Sequence, residues 1–149
     1  MTLSQKQREF TLMNARLIDF IYSHGMEATG GEWWRHPHMQ IYYLKTGYTR
    51  TKTSKHTRRL AQDLNLFIDG KYTTNPEDYR SCGEYWESIG GRWGGRFGVK
   101  KENYNKEIGW DVGHFEYGGK KSILRKNHKG TWTTHCNSKN EALDKSQNL

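Results

Sequence analysis

The stretch Ser54-Lys55-His56-Thr57-Arg58-Arg59-Leu60-Ala61-Gln62-Asp63 sets a histidine and, seven residues on, a carboxylate at the entrance to the apolar run Leu64, Leu66, Phe67 and Ile68. A second stretch, Asp111-Val112-Gly113-His114-Phe115-Glu116, sets another imidazole three residues after an acid, within a segment from Trp110 to Tyr117 that alternates toward a strand. Imidazole and carboxylate are both zinc-ligand types, and a catalytic zinc keeps three protein ligands and leaves its fourth position to water. His56, Asp63 and His114 supply three ligands, and Asp111 is then an acid left over for general-base work. Residue types and spacing alone also fit a blander reading, in which these are scattered polar groups on a surface.

Outward from these segments the chain reads as mixed helix and short strand. Ser4-Gln5-Lys6-Gln7 has the capping-box pattern, and Phe10, Met13, Leu17, Phe20 and Ile21 form one apolar stripe that ends at His24-Gly25. This predicts an N-terminal helix within residues 1–25. Ala28 to Trp34 and Met39 to Leu44 fit either two short strands or a strand and a helix. Gly47 to Lys55 reads as loop, and Asp69-Gly70 is a turn signal between apolar runs. Asn75-Pro76 followed by Glu77 and Asp78 predicts a second helix with Tyr85, Trp86 and Ile89 on its buried side. Gly90-Gly91-Arg92-Trp93-Gly94-Gly95 reads as a flexible turn closing it. Past Gly118 the chain turns basic, with Lys120, Lys121, Arg125, Lys126 and Lys129, and is expected to be a loosely packed extension over 118–149.

The chain has 149 residues and a formal net charge of +8, the length of one ordinary domain. Six Trp and nine Tyr supply large apolar areas from few positions, enough for a core in so polar a chain. Apolar runs fall far short of the roughly 20 residues that cross a bilayer, and no charged segment leads into an apolar leader. Cys82 and Cys136 stand far apart, which excludes a zinc ribbon or a disulfide scaffold and predicts two free thiols. The basic balance points to an anionic partner: nucleic acid, an acidic membrane surface or the polymers of a bacterial envelope.

Four pieces of this chain, in order from Glu32 to Glu116, resemble the zinc D-alanyl-D-alanine metallopeptidase family, which includes phage L-alanyl-D-glutamate endopeptidases. Residues 54–63 look like its S-x-H-x-x-G-x-A-x-D motif, and Asp111 to Glu116 is similar to its second signature. Glu32-Trp33-Trp34-Arg35, then Gln40, resembles the segment holding an active-site Arg. Trp86 through Trp93-Gly94-Gly95 looks like its W-x-x-x-G-x-x-W-G-G stretch. The first helix and the basic tail lie outside the resemblance, and Arg59 stands where the family has Gly.

The resemblance implies an α+β fold: a small antiparallel sheet flanked by helices, with a zinc cleft at the sheet, in a single peptidase domain over 1–149. It implies that His56, Asp63 and His114 bind Zn2+, that Asp111 is the general base, that Arg35 stabilises the oxyanion, and that Ser54 and Gln40 touch substrate. Glu116 is then either a hydrogen-bond partner for a ligating His or an exposed strand acid. The implied reaction is hydrolysis of the L-Ala/D-Glu bond in the stem peptide of bacterial peptidoglycan, by a monomer of phage endolysin type. Such a protein accumulates in the host bacterial cytoplasm and reaches the wall after membrane permeabilisation, with no obligatory nucleic acid and no transmembrane segment. Two rivals stand beside it. One is a D,D-carboxypeptidase or dipeptidase cutting D-Ala-D-Ala; the other is a basic non-catalytic module binding envelope or nucleic acid, which lacks any helix-turn-helix or RNP1 pattern and leaves the His/Asp motifs unexplained.

Overall fold

The computed structural model describes residues 1–119, 124–126 and 132–134. Helix α1 (Leu3–Ser23) opens two residues ahead of expectation: Thr2, not Ser4, is the cap, and Gln5 reaches back to the Thr2 amide at 2.7 Å. Both Thr2-x-x-Gln5 and Ser4-x-x-Gln7 carry the capping pattern. Gln7 is committed elsewhere, donating to the Arg58 carbonyl at 2.8 Å and so tying α1 to the segment that holds His56. At the other end His24 caps the helix and Gly25 leaves it with a positive φ, as the sequence predicts.

Strand β1 (Met26–Gly30) and helix α2 (Pro37–Lys45) resolve the next region as strand and helix. His36 caps α2, its Nδ1 accepting from the His38 amide, and Pro37 occupies the first turn, where its missing N–H costs nothing. A loop then leads to a 3-10 turn, His56–Arg58, and to β2 (Ala61–Ile68). Asp69 and Gly70, both at positive φ, turn the chain into β3 (Lys71–Tyr72). Asn75 caps a 3-10 turn that runs into α3 (Arg80–Ser88), followed by β4 (Gly91–Trp93) and β5 (His114–Tyr117).

These strands make one antiparallel sheet in the order β1-β2-β5-β4, with β3 pairing the far end of β2. Period-two alternation sorts its residues onto two faces. Leu64, Leu66, Phe115 and Trp93 join Phe10, Met13, Leu17 and Ile21 of α1 and Cys82 and Trp86 of α3 in one core. Asp63, His114, Glu116 and Arg92 alternate with them, on the opposite face. The fold is therefore α+β, with α1 and α3 packed on one side of a small open sheet.

The Gly90–Gly95 stretch departs from expectation. It is not a flexible turn: Gly91–Trp93 is the edge strand, and Trp93 is fully buried. The indoles of Trp86 and Trp93 donate to the carbonyls of Glu116 and Val112 at 3.0 and 2.7 Å, so both rings hold β5 in place. Glycines in this region make room for those rings rather than for motion, and Gly83 on α3 lies against the Trp93 ring.

Tyr117 closes the far end, donating to Glu9 of α1 at 2.7 Å. Cys82 is a buried free thiol whose pKa burial raises to about 11, while Cys136 lies outside the described residues. No helix among the described residues is long and apolar enough to cross a membrane. Most of the expected basic extension also lies outside them, but the backbones of β6 (Leu124–Lys126) and β7 (Trp132–Thr134) pair antiparallel.

Gly to Ala inside a helix ordinarily stabilises by roughly 0.5–1 kcal/mol. At Gly83 the added Cβ would overlap the Trp93 ring, so Gly83→Ala is expected to lower stability by about 1–3 kcal/mol in urea denaturation. A higher midpoint than the parent protein would refute this packing.

Candidate metal centre and active site

Three elements bring the predicted ligands together. Asp63 and His114 are direct cross-strand partners in the β2–β5 ladder, so their side chains leave the sheet side by side on the same face. His56 comes from the 3-10 turn that feeds β2. Its turn is fastened by Ser54, whose hydroxyl accepts from the His56 amide at 3.2 Å, and by the His56 carbonyl, which accepts from the Arg35 and Arg59 amides. The next residue out of that turn, Arg59, has φ 54° and ψ 44°, in the left-handed region that favours glycine. That backbone accounts for the glycine of the resembling motif. Here the Arg59 guanidinium lies 5.3 Å from the centre of the Trp34 ring.

The donor atoms form a small triangle: His56 Nε2 to His114 Nδ1 is 3.2 Å, His114 Nδ1 to Asp63 Oδ1 is 3.0 Å and His56 Nε2 to Asp63 Oδ1 is 3.3 Å. Tetrahedral ligation at roughly 2.0–2.1 Å from a zinc ion separates neighbouring donors by about 3.3 Å, so the triangle already has the size of a zinc site. It is also the one group of three or more metal-ligand side chains clustered among the described residues. Two neutral imidazoles and a carboxylate are the donor set of a catalytic zinc, and these residues fit that ion. Outside the triangle, the second ring nitrogen of His114 donates to Glu116 at 3.1 Å, which sets its tautomer and aims Nδ1 at the site. His56 Nδ1 is buried without a partner among the described residues.

The charges around the triangle are strongly coupled. Burial works against the charged form of Asp63, but hydrogen bonds from His114 and His56 outweigh it and hold the carboxyl down at about 2. Burial likewise opposes a charged His114, yet Asp63, Glu116 and Asp111 raise its pKa to about 9. Glu116 is lowered against its own burial by His114, Lys55 and Arg92. Asp111 is shifted the other way: burial and the charges of Asp63 and Glu116 raise it, with His114 and His56 in opposition. Asp111 is thus the carboxylate at this site readiest to take a proton.

These groups line a cleft of about 820 Å³. Asp111, Arg35 and Ser54 stand in its wall with the three ligands. The Asp111 carbonyl passes against Gly94, where a side chain would block it, and accepts from the His114 amide at 3.1 Å. Arg35 is gripped by Glu32, with its Nη1 donating to Gln40 at 2.8 Å; burial disfavours its charge, but Glu32 outweighs that and raises its pKa. Gln40, expected at the substrate, lies instead behind Arg35. It is buried, and its amide nitrogen donates to the Thr51 carbonyl at 2.7 Å, which leaves it to position Arg35 and the loop rather than form the cleft wall. Sequence reading missed Lys55, Arg92, Phe97, Trp110, Tyr48 and Arg50 in that wall. Arg92 reaches it because β4 sets it opposite Glu116 in the β4–β5 register, a pairing that residue types alone do not give.

Residues 48–117 match the model of a family described as D-alanyl-D-alanine carboxypeptidase, a span holding all three ligands and Asp111 but not Arg35. No curated protein sequence gives a match. Among solved structures, the chain is similar to the L-Ala D-Glu endopeptidase ChiX of Serratia marcescens, at 20% identity and a TM-score of 0.50, over 69% of this chain and 76% of that one. It is also similar to VanYB in complex with D-alanine-D-alanine, at 19% identity and a TM-score of 0.50, over 74% of this chain and 70% of that one. At these identities the likeness is one of fold.

A metal-free His114 with a pKa near 9 carries a proton at neutral pH, and that proton must leave before Nδ1 can ligate. Zinc binding at pH 7 is therefore expected to release about one proton, and apparent affinity to rise toward pH 9, as calorimetry in buffers of different ionisation enthalpy would read. Glu116→Gln should weaken zinc binding by about 10–100-fold. Proton-neutral binding at pH 7 would contradict the coupling described above.

Proposed function

The chain belongs to the zinc D-alanyl-D-alanine metallopeptidase family, and on that premise we propose that it hydrolyses the L-Ala/D-Glu amide bond in the stem peptide of bacterial peptidoglycan. The observation that carries a hydrolytic role is Asp111: a carboxylate with a raised pKa beside three converged ligands, in the wall of an open cleft. The choice of bond is supported by the resemblance of the motifs to phage endopeptidases; the fold is shared alike with the Serratia endopeptidase and with VanYB.

His56, Asp63 and His114 would hold the zinc ion, which when bound supplies a Lewis acid that acidifies water and polarises a carbonyl. Asp111 accepts a proton from the attacking water and delivers it to the departing amine, so that oxygen joins the carbonyl carbon as the C–N bond breaks. Arg35, fixed by Glu32 and Gln40, presents a guanidinium to the negative charge developing on the carbonyl oxygen. Because its partners hold it before substrate arrives, little reorganisation is needed at the moment of reaction. Glu116 keeps His114 in its ligating tautomer throughout.

In this reading the protein is a monomeric phage endolysin that accumulates in the host bacterial cytoplasm and acts on the wall in the periplasm once the membrane is permeabilised. The basic residues after Gly118 would help hold an anionic envelope. A second reading, hydrolysis of D-Ala-D-Ala, is favoured by the description of the matching family model.

Zinc-loaded protein is expected to digest purified peptidoglycan and leave a new amine on D-Glu, identified by mass spectrometry. Free D-Ala would establish the second reading instead. Asp111→Asn should lower kcat by about 10²–10⁴-fold while retaining one zinc per chain. Loss of zinc together with activity would remove Asp111 from the proton-transfer role.

A further inference from the structure

Among the described residues four cations stand in the cleft wall, and three of them are already engaged. Arg35 is held by Glu32 and Gln40, Lys55 donates to the Tyr117 carbonyl at 2.8 Å, and Arg92 donates to Glu116 at 3.1 Å while lying over the Phe97 ring. The fourth, Arg50, lines the same cleft and has no acid, carbonyl or ring partner among the described residues. It comes from the loop that follows α2, and that loop is braced. Thr49 donates its amide to the Tyr43 carbonyl at 3.2 Å, Thr51 donates its amide to the Thr49 hydroxyl, and the Thr51 carbonyl accepts from the buried Gln40. The backbone on both sides of Arg50 is thus fastened, with the guanidinium left free at the wall.

Charge and chemistry then narrow what Arg50 can take. A guanidinium offers a planar fork of donors that matches a carboxylate. The cleft floor carries Asp63, Asp111 and Glu116, so an incoming carboxylate meets like charge unless a cation faces it. D-Glu has two carboxyl groups and the onward peptide bond uses only one, which leaves a free carboxylate on the residue that follows the scissile L-Ala/D-Glu bond. In D-Ala-D-Ala the residue after the scissile bond likewise carries a free carboxylate, at the chain terminus.

We propose that Arg50 is a specificity-determining residue that binds the free carboxylate of the substrate residue following the scissile bond. This rests on the peptidase reading above, and holds for either bond. It makes the cleft selective for stem peptides in which that group is an acid over those in which it is a carboxamide.

The test measures binding, so that it does not depend on which bond is cut. Zinc-loaded full-length Asp111→Asn protein is titrated with L-Ala-D-Glu stem peptides, and separately with D-Ala-D-Ala peptides, each prepared with the carboxylate free or amidated. In at least one series the acid is expected to bind about ten- to a hundred-fold more tightly than the amide, the range of a charge-assisted hydrogen bond. Adding Arg50→Gln should bring the acid down to within about two-fold of the amide and leave amide binding unchanged, which also shows that the variant is folded. Equal binding of acid and amide, no binding of either acid, a preference that survives Arg50→Gln, or a parallel loss for both forms would each overturn the proposal. Digestion of the same acid peptides by protein with Asp111 intact reports separately on the peptidase reading: cleavage of neither bond defeats that reading, whatever the binding shows.

Discussion

The site depends on the register between β2 and β5. Asp63 and His114 face each other across that ladder, and the antiparallel pleat sends both side chains to the same face while Gln62 and Phe115 turn to the other. A slip of one residue would exchange ligands for core residues on both strands. The register is held from several sides. Trp86 and Trp93 donate to carbonyls within and just before β5, the Leu64 amide donates to the Gly113 carbonyl, and the Tyr117 amide donates to Leu60. Core packing and ligand geometry are therefore one constraint seen from two faces of the sheet.

On the ligand face, electrostatics completes what the backbone arranges. Asp63 and Glu116 hold His114 between them, one on each ring nitrogen, so the ring orientation is settled without a metal. The same arrangement keeps Asp63 and Glu116 ionised and raises Asp111. Two neighbouring carboxylates of the site are thereby pushed apart in proton affinity, the pattern that separates ligand from base. Arg35 and Gln40 extend the order outward, because Gln40 joins the guanidinium to the loop that forms the cleft wall.

Several features were legible in the residues and several were not, each for a physical reason. The α1 stripe, the Asp69-Gly70 turn and the Asn75-Pro76 helix start are local signals, and the structure contains them. The α1 cap was displaced by two residues because the same pattern occurs twice in succession; in the fold Thr2 and Gln5 form the capping pair, while Gln7 donates to the Arg58 carbonyl. Gly90 to Gly95 reads as flexible in isolation, since glycine suggests freedom. In the fold Gly91 and Gly95 make way for indole rings and Gly94 for the Asp111 backbone, a requirement set largely by tertiary packing. Gln40 was placed at the substrate for a similar reason: burial behind Arg35 depends on where the loop at Thr51 lies.

By itself the sequence determined the chemistry that is available: two imidazoles and two carboxylates on short segments, apolar periodicities that make helices and strands, and a motif whose glycine position, here Arg59, marks a left-handed turn. Side-chain type and local spacing are enough for that, because they act within a few residues. Tertiary structure decided which groups meet. His56 and His114 lie 58 residues apart in the chain, yet their nitrogens come within 3.2 Å through sheet pairing and the packing of two tryptophans. It also decided which cations are spent on the protein's own acceptors and which one among the described residues, Arg50, is left facing the cleft, since pairing is a property of neighbours in space.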